Sequence, residues 1–288
     1  MRYLISVLAL VIILSSCASR NAGWDKDVEA VKLSDKEYST LKENAMKHWK
    51  ERVDQVQLEA ALDQFNKLHA AQPENLENLI FLTRGYYFLA DAHLQDIDQK
   101  KKYYEVAASF GEKAMATNPA FKKSVQSGKS VEESLSLLTQ AEVPAIYWNA
   151  ASLGKWAKAS GIAAALKYKT RIKAMIERVE QLQPDYFFAA PSRYWGGFYA
   201  VAPSFAGGDM KKSKVQFEKS LKLAPEYLGT KVLMADVFYT KEGNKKQFEA
   251  TLKEVLESKQ DTHPEIGPEN ALEKRKAIKL LEKMDDLF

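Results

Sequence analysis

From Leu33 onward the apolar positions of this chain return with a helical period, and no stretch alternates in the manner of a strand. Pro73, Pro119, Pro184, Pro225 and Pro264 each stand a few residues beyond an amphipathic stretch. Proline is expected near a helix start and shortly after a helix end, because it lacks the N–H that a helix interior needs. The pattern predicts helices near 34–50, 52–71, 75–95, 99–117, 131–139, 143–160, 162–182, 185–200, 209–223, 226–241, 244–258 and 268–286. The expected fold is therefore all-α.

The helices pair in a way that resembles tetratricopeptide repeats, which place small or aromatic residues at fixed offsets before a closing proline. Counting back from Pro73, Ala61, Phe65 and Leu68 take the packing positions of a second helix, with Trp49 at the small position of the first. Counting back from Pro119, Ala107, Gly111 and Ala114 take the same places. Tyr239, Gly243, Phe248, Leu252 and Val255 keep the spacing again. The proline intervals are irregular, so the expectation is antiparallel helix pairs in a degenerate solenoid with insertions, or an irregular bundle. A solenoid leaves a concave face for a partner.

The N-terminus changes the setting. Met1-Arg2-Tyr3, an apolar run from Leu4 to Leu14 and then Ser15-Ser16-Cys17 form a secretory signal too short to span a bilayer. Leu14-Ser15-Ser16-Cys17 resembles a bacterial lipobox, in which the cysteine is acylated and becomes residue one. The division expected is a signal over 1–16, a lipidated tether over 17–32 and a helical domain over 33–288. Each buried acyl methylene adds about 0.8 kcal/mol, so several chains give a stable anchor. Ala18 after the cysteine points to the outer membrane and a periplasm-facing protein.

Cys17 is the only cysteine, so once acylated it leaves no thiol for disulfides, metal or catalysis. Lysine and arginine number 42 against 38 acidic residues, mixed along the chain, which is a solvated surface and not a nucleic-acid footprint. His48, His69, His93 and His263 form no close pair for a metal. Gly128-Lys129-Ser130 has the ending of a phosphate-binding loop but lacks the earlier glycine and the preceding strand. No nucleophile stands beside an evident base. An enzyme, and a cofactor, are not expected.

Two segments stand out for chemistry. Glu142 to Gly161 holds Tyr147, Trp148 and Trp156 on a helix that is apolar nearly all round, hence central. Asn149 in that helix needs a partner, either a neighbouring helix or a cavity. Gln183 to Asp209 crowds in Tyr194, Trp195, Phe198 and Phe205 with other aromatics, and Arg193 is the lone cation among them. Such a cluster is either core, with Arg193 bracing a loop, or the wall of a pocket in which arginine grips a carboxylate. On the pocket reading, Arg193→Ala weakens anion binding and leaves thermal stability nearly intact.

Tyr147-Trp148-Asn149-Ala150-Ala151, Gly154-Lys155-Trp156 and Pro191-Ser192-Arg193-Tyr194-Trp195-Gly196-Gly197 resemble the T component of tripartite ATP-independent periplasmic (TRAP) transporters, the TatT lipoproteins. So do Gly207-Gly208-Asp209, Lys212-Ser213 and Phe217-Glu218, and the lipobox belongs to the same resemblance. It implies a fold of degenerate tetratricopeptide-like repeats, commonly a homotrimer. It also implies a periplasmic solute-binding protein as partner, and passage of a hydrophobic or organic-acid ligand near an internal cavity. The competing function is a repeat scaffold that grips peptides or membrane proteins during envelope assembly.

Overall fold

A computed structural model of the chain describes residues 20–24 and 30–288. The signal 1–16, Cys17 and part of the tether lie outside the described residues. Among the described residues the chain is helices, turns and loops with no strand, so the fold is all-α. It forms two compact units, one of residues up to Trp49 with Leu58–Arg178, the other of Lys50–Gln57 with Val179–Phe288. No helix among the described residues is long and apolar enough to cross a membrane.

The first unit is built on α1 (Asp35–Lys50), α2 (Gln55–Ala71), α3 (Leu76–Phe88), α4 (Ile97–Ala116), α5 (Pro119–Gln126), α6 (Val143–Ala159) and most of α7 (Ile162–Leu182). Local chemistry sets the starts. Ser34 and Glu37 exchange side-chain and backbone hydrogen bonds across the start of α1, and Asn75 and Asp96 each accept a first-turn amide of α3 and α4. The sequence pattern has no helix over 119–126, because Pro119 reads there only as a break. In the structure Asn118 caps the turn and Pro119 opens α5, where its missing N–H costs nothing.

Helix α4 packs on both α3 and α6. Phe65, Leu68, Leu79, Leu82, Met115, Ile146 and Leu153 are fully buried, each worth about 1.5–3 kcal/mol on removal from water. Ala61, Ala107 and Ala114, expected at close-packing positions, are 0 % exposed. Gly111 is required outright: a Cβ there would sit 2.7 Å from that of Asn149.

His69 on α2 lies buried with its ring edge-on to Phe110, centroids 5.4 Å apart. Burial first, and the Lys113 ammonium second, push its pKa down to about 4. An unfolded histidine titrates near about 6.5, so between these values the unfolded chain takes up the extra proton and stability rises with pH. The contribution is complete above about 6.5 and is lost as pH falls toward 4, a change on the order of 2 kcal/mol. Melting profiles of native protein and His69→Leu should diverge across that window, the variant being the flatter; parallel profiles would show the ring to be protonated in the fold.

The second unit holds α8 (Tyr186–Val201), α9 (Met210–Leu223), α10 (Leu228–Leu233), α11 (Lys245–Glu257) and α12 (Gly267–Glu282). Leu228, Val232, Phe248, Leu252, Val255 and Ala277 make one core cluster, and Ala200, Phe217, Met234 and Phe238 another. Residues 50–57 join this unit through Arg52, whose guanidinium pairs with buried Glu269.

Each unit interrupts a helix with a π turn, Leu89–His93 after α3 and Met234–Tyr239 after α10. The local sequences match: Leu89-Ala90-Asp91 in one, Met234-Ala235-Asp236 in the other, with both alanines 0 % exposed. Such turns widen the helix by one residue and re-aim the side chains they carry.

Candidate functional site

In the first unit α6 sets Tyr147 and Trp148 edge to face, 5.0 Å between centroids. Trp148 in turn meets Tyr87 of α3 at 5.4 Å. The Arg84 guanidinium carbon lies 5.3 Å from the ring centre of Trp148 and 5.3 Å from that of Trp49. A cation over an indole face is held by the ring quadrupole, by roughly 1–2 kcal/mol where water is partly excluded. One turn onward, the π turn presents Asp91, which receives hydrogen bonds from the Tyr104 hydroxyl at 2.9 Å and the Lys155 ammonium. Lys155 also stands 6.0 Å from the Tyr87 ring centre. The result is an aromatic cluster carrying both charge signs at its edge.

The other two candidates on α6 serve different neighbours. Asn149 donates to the carbonyl of Ala108 at 2.7 Å, opposite Gly111, so its amide is satisfied by the α4–α6 contact. Trp156 is buried edge-on against Tyr168 at 5.4 Å, and its indole N–H finds no acceptor among the described residues.

In the second unit α8 opens with three consecutive left-handed residues, Phe187, Phe188 and Ala189, at φ of 44°, 58° and 54°. None is glycine, so the turn is strained. Pro191 has no N–H to give the Phe187 carbonyl four residues back. Arg193 supplies the missing donors: one terminal nitrogen reaches Phe188 O at 2.8 Å and the other Phe187 O at 3.3 Å. Its guanidinium also lies 4.1 Å from the Tyr227 ring centre. The side chain is 7 % exposed, so the charge is answered by carbonyl dipoles and a π face within the fold.

Tyr194, Trp195 and Phe198 do come together along α8, with Tyr199 stacked on Trp195 at 5.9 Å. Trp195 donates to Glu180 at 2.9 Å. Phe205 joins none of them, standing 92 % exposed on a surface turn. The motif glycines and serines here serve close packing. Ser213 donates to Gly196 O at 2.7 Å, and a Cβ on Gly196 would lie 2.8 Å from the Phe217 ring. Asp209 caps α9 by accepting from the amides of Lys211 and Lys212.

Sequence reasoning passed over Arg84, Tyr87 and Asp91. The available signal was Arg84, the one basic residue on the otherwise largely apolar α3. It also passed over an open groove of about 330 Å³ along α4, lined by Lys102, Val106, Ser109, Phe110 and Lys113 among others. Among the described residues no group of histidine, cysteine or carboxylate side chains is placed to hold a metal. A sequence model of the protein family described as TRAP transporter T-component matches residues 53–288. No curated protein matches the chain.

Proposed function

Since the chain belongs to the TRAP transporter T-component family, we propose that it is a non-catalytic envelope lipoprotein of such a transporter. In this reading it docks the periplasmic solute-binding protein and receives from it a small organic acid or apolar ligand. The carrying observation is the family match over 53–288, which spans both compact units. Acylated Cys17 tethers the chain, at the outer membrane by the Ala18 rule, and the working form is a homotrimer, as the family resemblance implies.

The ligand-facing chemistry is better supported in the first unit than at Arg193. The Arg84 guanidinium lies against the Trp49 and Trp148 rings, whereas the Arg193 donors are taken up by the Phe188 and Phe187 carbonyls. Tyr147, Tyr87 and Trp148 offer apolar wall beside Arg84. Affinity capture of the full-length chain from crosslinked native envelopes should recover a periplasmic solute-binding protein. Recovery only of outer-membrane assembly factors would replace this reading with the envelope-assembly scaffold.

A further inference from the structure

Arg20 and Gly23 are held against the first unit. The Arg20 guanidinium pairs with Glu112 and donates to Ser109 Oγ at 2.8 Å, both on α4. The Arg20 amide donates to the Tyr168 hydroxyl of α7 at 3.3 Å, and the Gly23 amide to Glu112 at 2.6 Å. The Arg20 and Glu112 side chains are each 2 % exposed. The chain is thus fixed to the first unit only three residues after Cys17. Three residues reach at most about 11 Å, close to the width of one helix with its side chains. An acylated Cys17 would hold the lipid surface within about that distance of Arg20, whose amide bonds the Tyr168 hydroxyl.

Helix α7 has an unusual outer face at this place. Its core stripe is Ala164, Tyr168, Ile172, Met175 and Ile176. On the other side Ile162 is 81 % exposed and Leu166, one turn on, is 65 % exposed, with Ala163 and Ala165 also exposed. From Val143 to Ile176 the chain has no acidic residue; Lys155 pairs with Asp91 and Arg171 with Glu132, and the other cations are Lys158, Lys167, Lys169 and Lys173. Exposed aliphatics flanked by lysines, with no carboxylate in the stretch, are the composition of a helix lying in a headgroup layer. Lysine stems cover apolar surface while their ammonium groups reach anionic phosphates.

We propose that the outer face of α7 around Ile162 and Leu166 rests on an anionic phospholipid leaflet, pinned there by the short docked tether. This fixes which side of the first unit meets the membrane, and it leaves the remaining faces turned toward soluble partners. It rests on the lipoprotein reading of Cys17.

The test uses the full chain carrying Leu166→Cys, exported and purified in detergent, then labelled with an environment-sensitive fluorophore. Acylated Cys17 has no thiol, so the label is unique, and Leu137→Cys in the same unit is the control. Mass spectrometry of the N-terminal peptide reports acylation separately. In vesicles of phosphatidylglycerol and phosphatidylethanolamine, emission at position 166 should rise about twofold or more while position 137 changes little. Replacing Lys167 and Lys169 with glutamate should reduce the rise. No rise in an acylated protein overturns the docking face and leaves the lipoprotein reading standing; an unacylated Cys17 overturns both. A concentration-dependent rise already present in detergent would show a second copy of the chain on this face and overturn the proposal.

Discussion

Arg193→Ala is expected to destabilise the second unit by about 3 kcal/mol, the combined order of two charge-assisted hydrogen bonds and a desolvated cation–π contact less the relaxation of the site. The loss follows from the turn that α8 needs. Three non-glycine residues at positive φ are each strained, and the carbonyls of Phe187 and Phe188 face the Arg193 guanidinium. Pro191 withholds the amide that a regular helix would have offered Phe187. Without Arg193 the strain remains and its compensation goes. Arg193→Lys should recover only part of the stability, because one ammonium lacks the fork that reaches both carbonyls. Urea unfolding of the variants decides it. A midpoint for Arg193→Ala equal to that of the native protein would return Arg193 to the role of ligand holder, in which stability is untouched.

The two readings of Arg193, loop brace and ligand holder, show what the sequence carries and what it withholds. The bounds of α7, 162–182, follow from the period of its apolar residues and agree with the structure. Local signals of this kind need no knowledge of neighbours. Asn149 was legible as a buried amide in want of a partner, but the partner, Ala108 O, depends on how α4 meets α6. The aromatic crowd at 186–199 was visible, whereas the left-handed turn inside it was not, since no glycine marks it. The apolar period runs as plain helix to 95 and 241, across both π turns, because a one-residue widening is decided by packing, not by composition. Arg84 was missed because its setting is made by Trp49 and Trp148, which lie far from it along the chain.

Glu269→Ala is expected to cost more, about 3–5 kcal/mol, because it strands a buried guanidinium. Arg52 and Glu269 side chains are 4 % and 7 % exposed, and the carboxylate takes both Nε, at 3.2 Å, and a terminal nitrogen. The same terminal nitrogen donates to Glu265 O at 3.0 Å, so one guanidinium ties residues 50–57 to the start of α12 at two points. Neither group has water to fall back on. The pair itself is another matter: charges so desolvated gain little over a well-packed apolar pair, so Arg52→Met with Glu269→Leu should recover most of the loss. Hydrogen exchange reads the two outcomes locally. In Glu269→Ala, amides of 50–57 and of the first turns of α12 should lose protection together, and in the double variant regain it. If the single variant exchanges as the native protein does, the guanidinium has found another acceptor and the ion pair does not hold this segment in the unit.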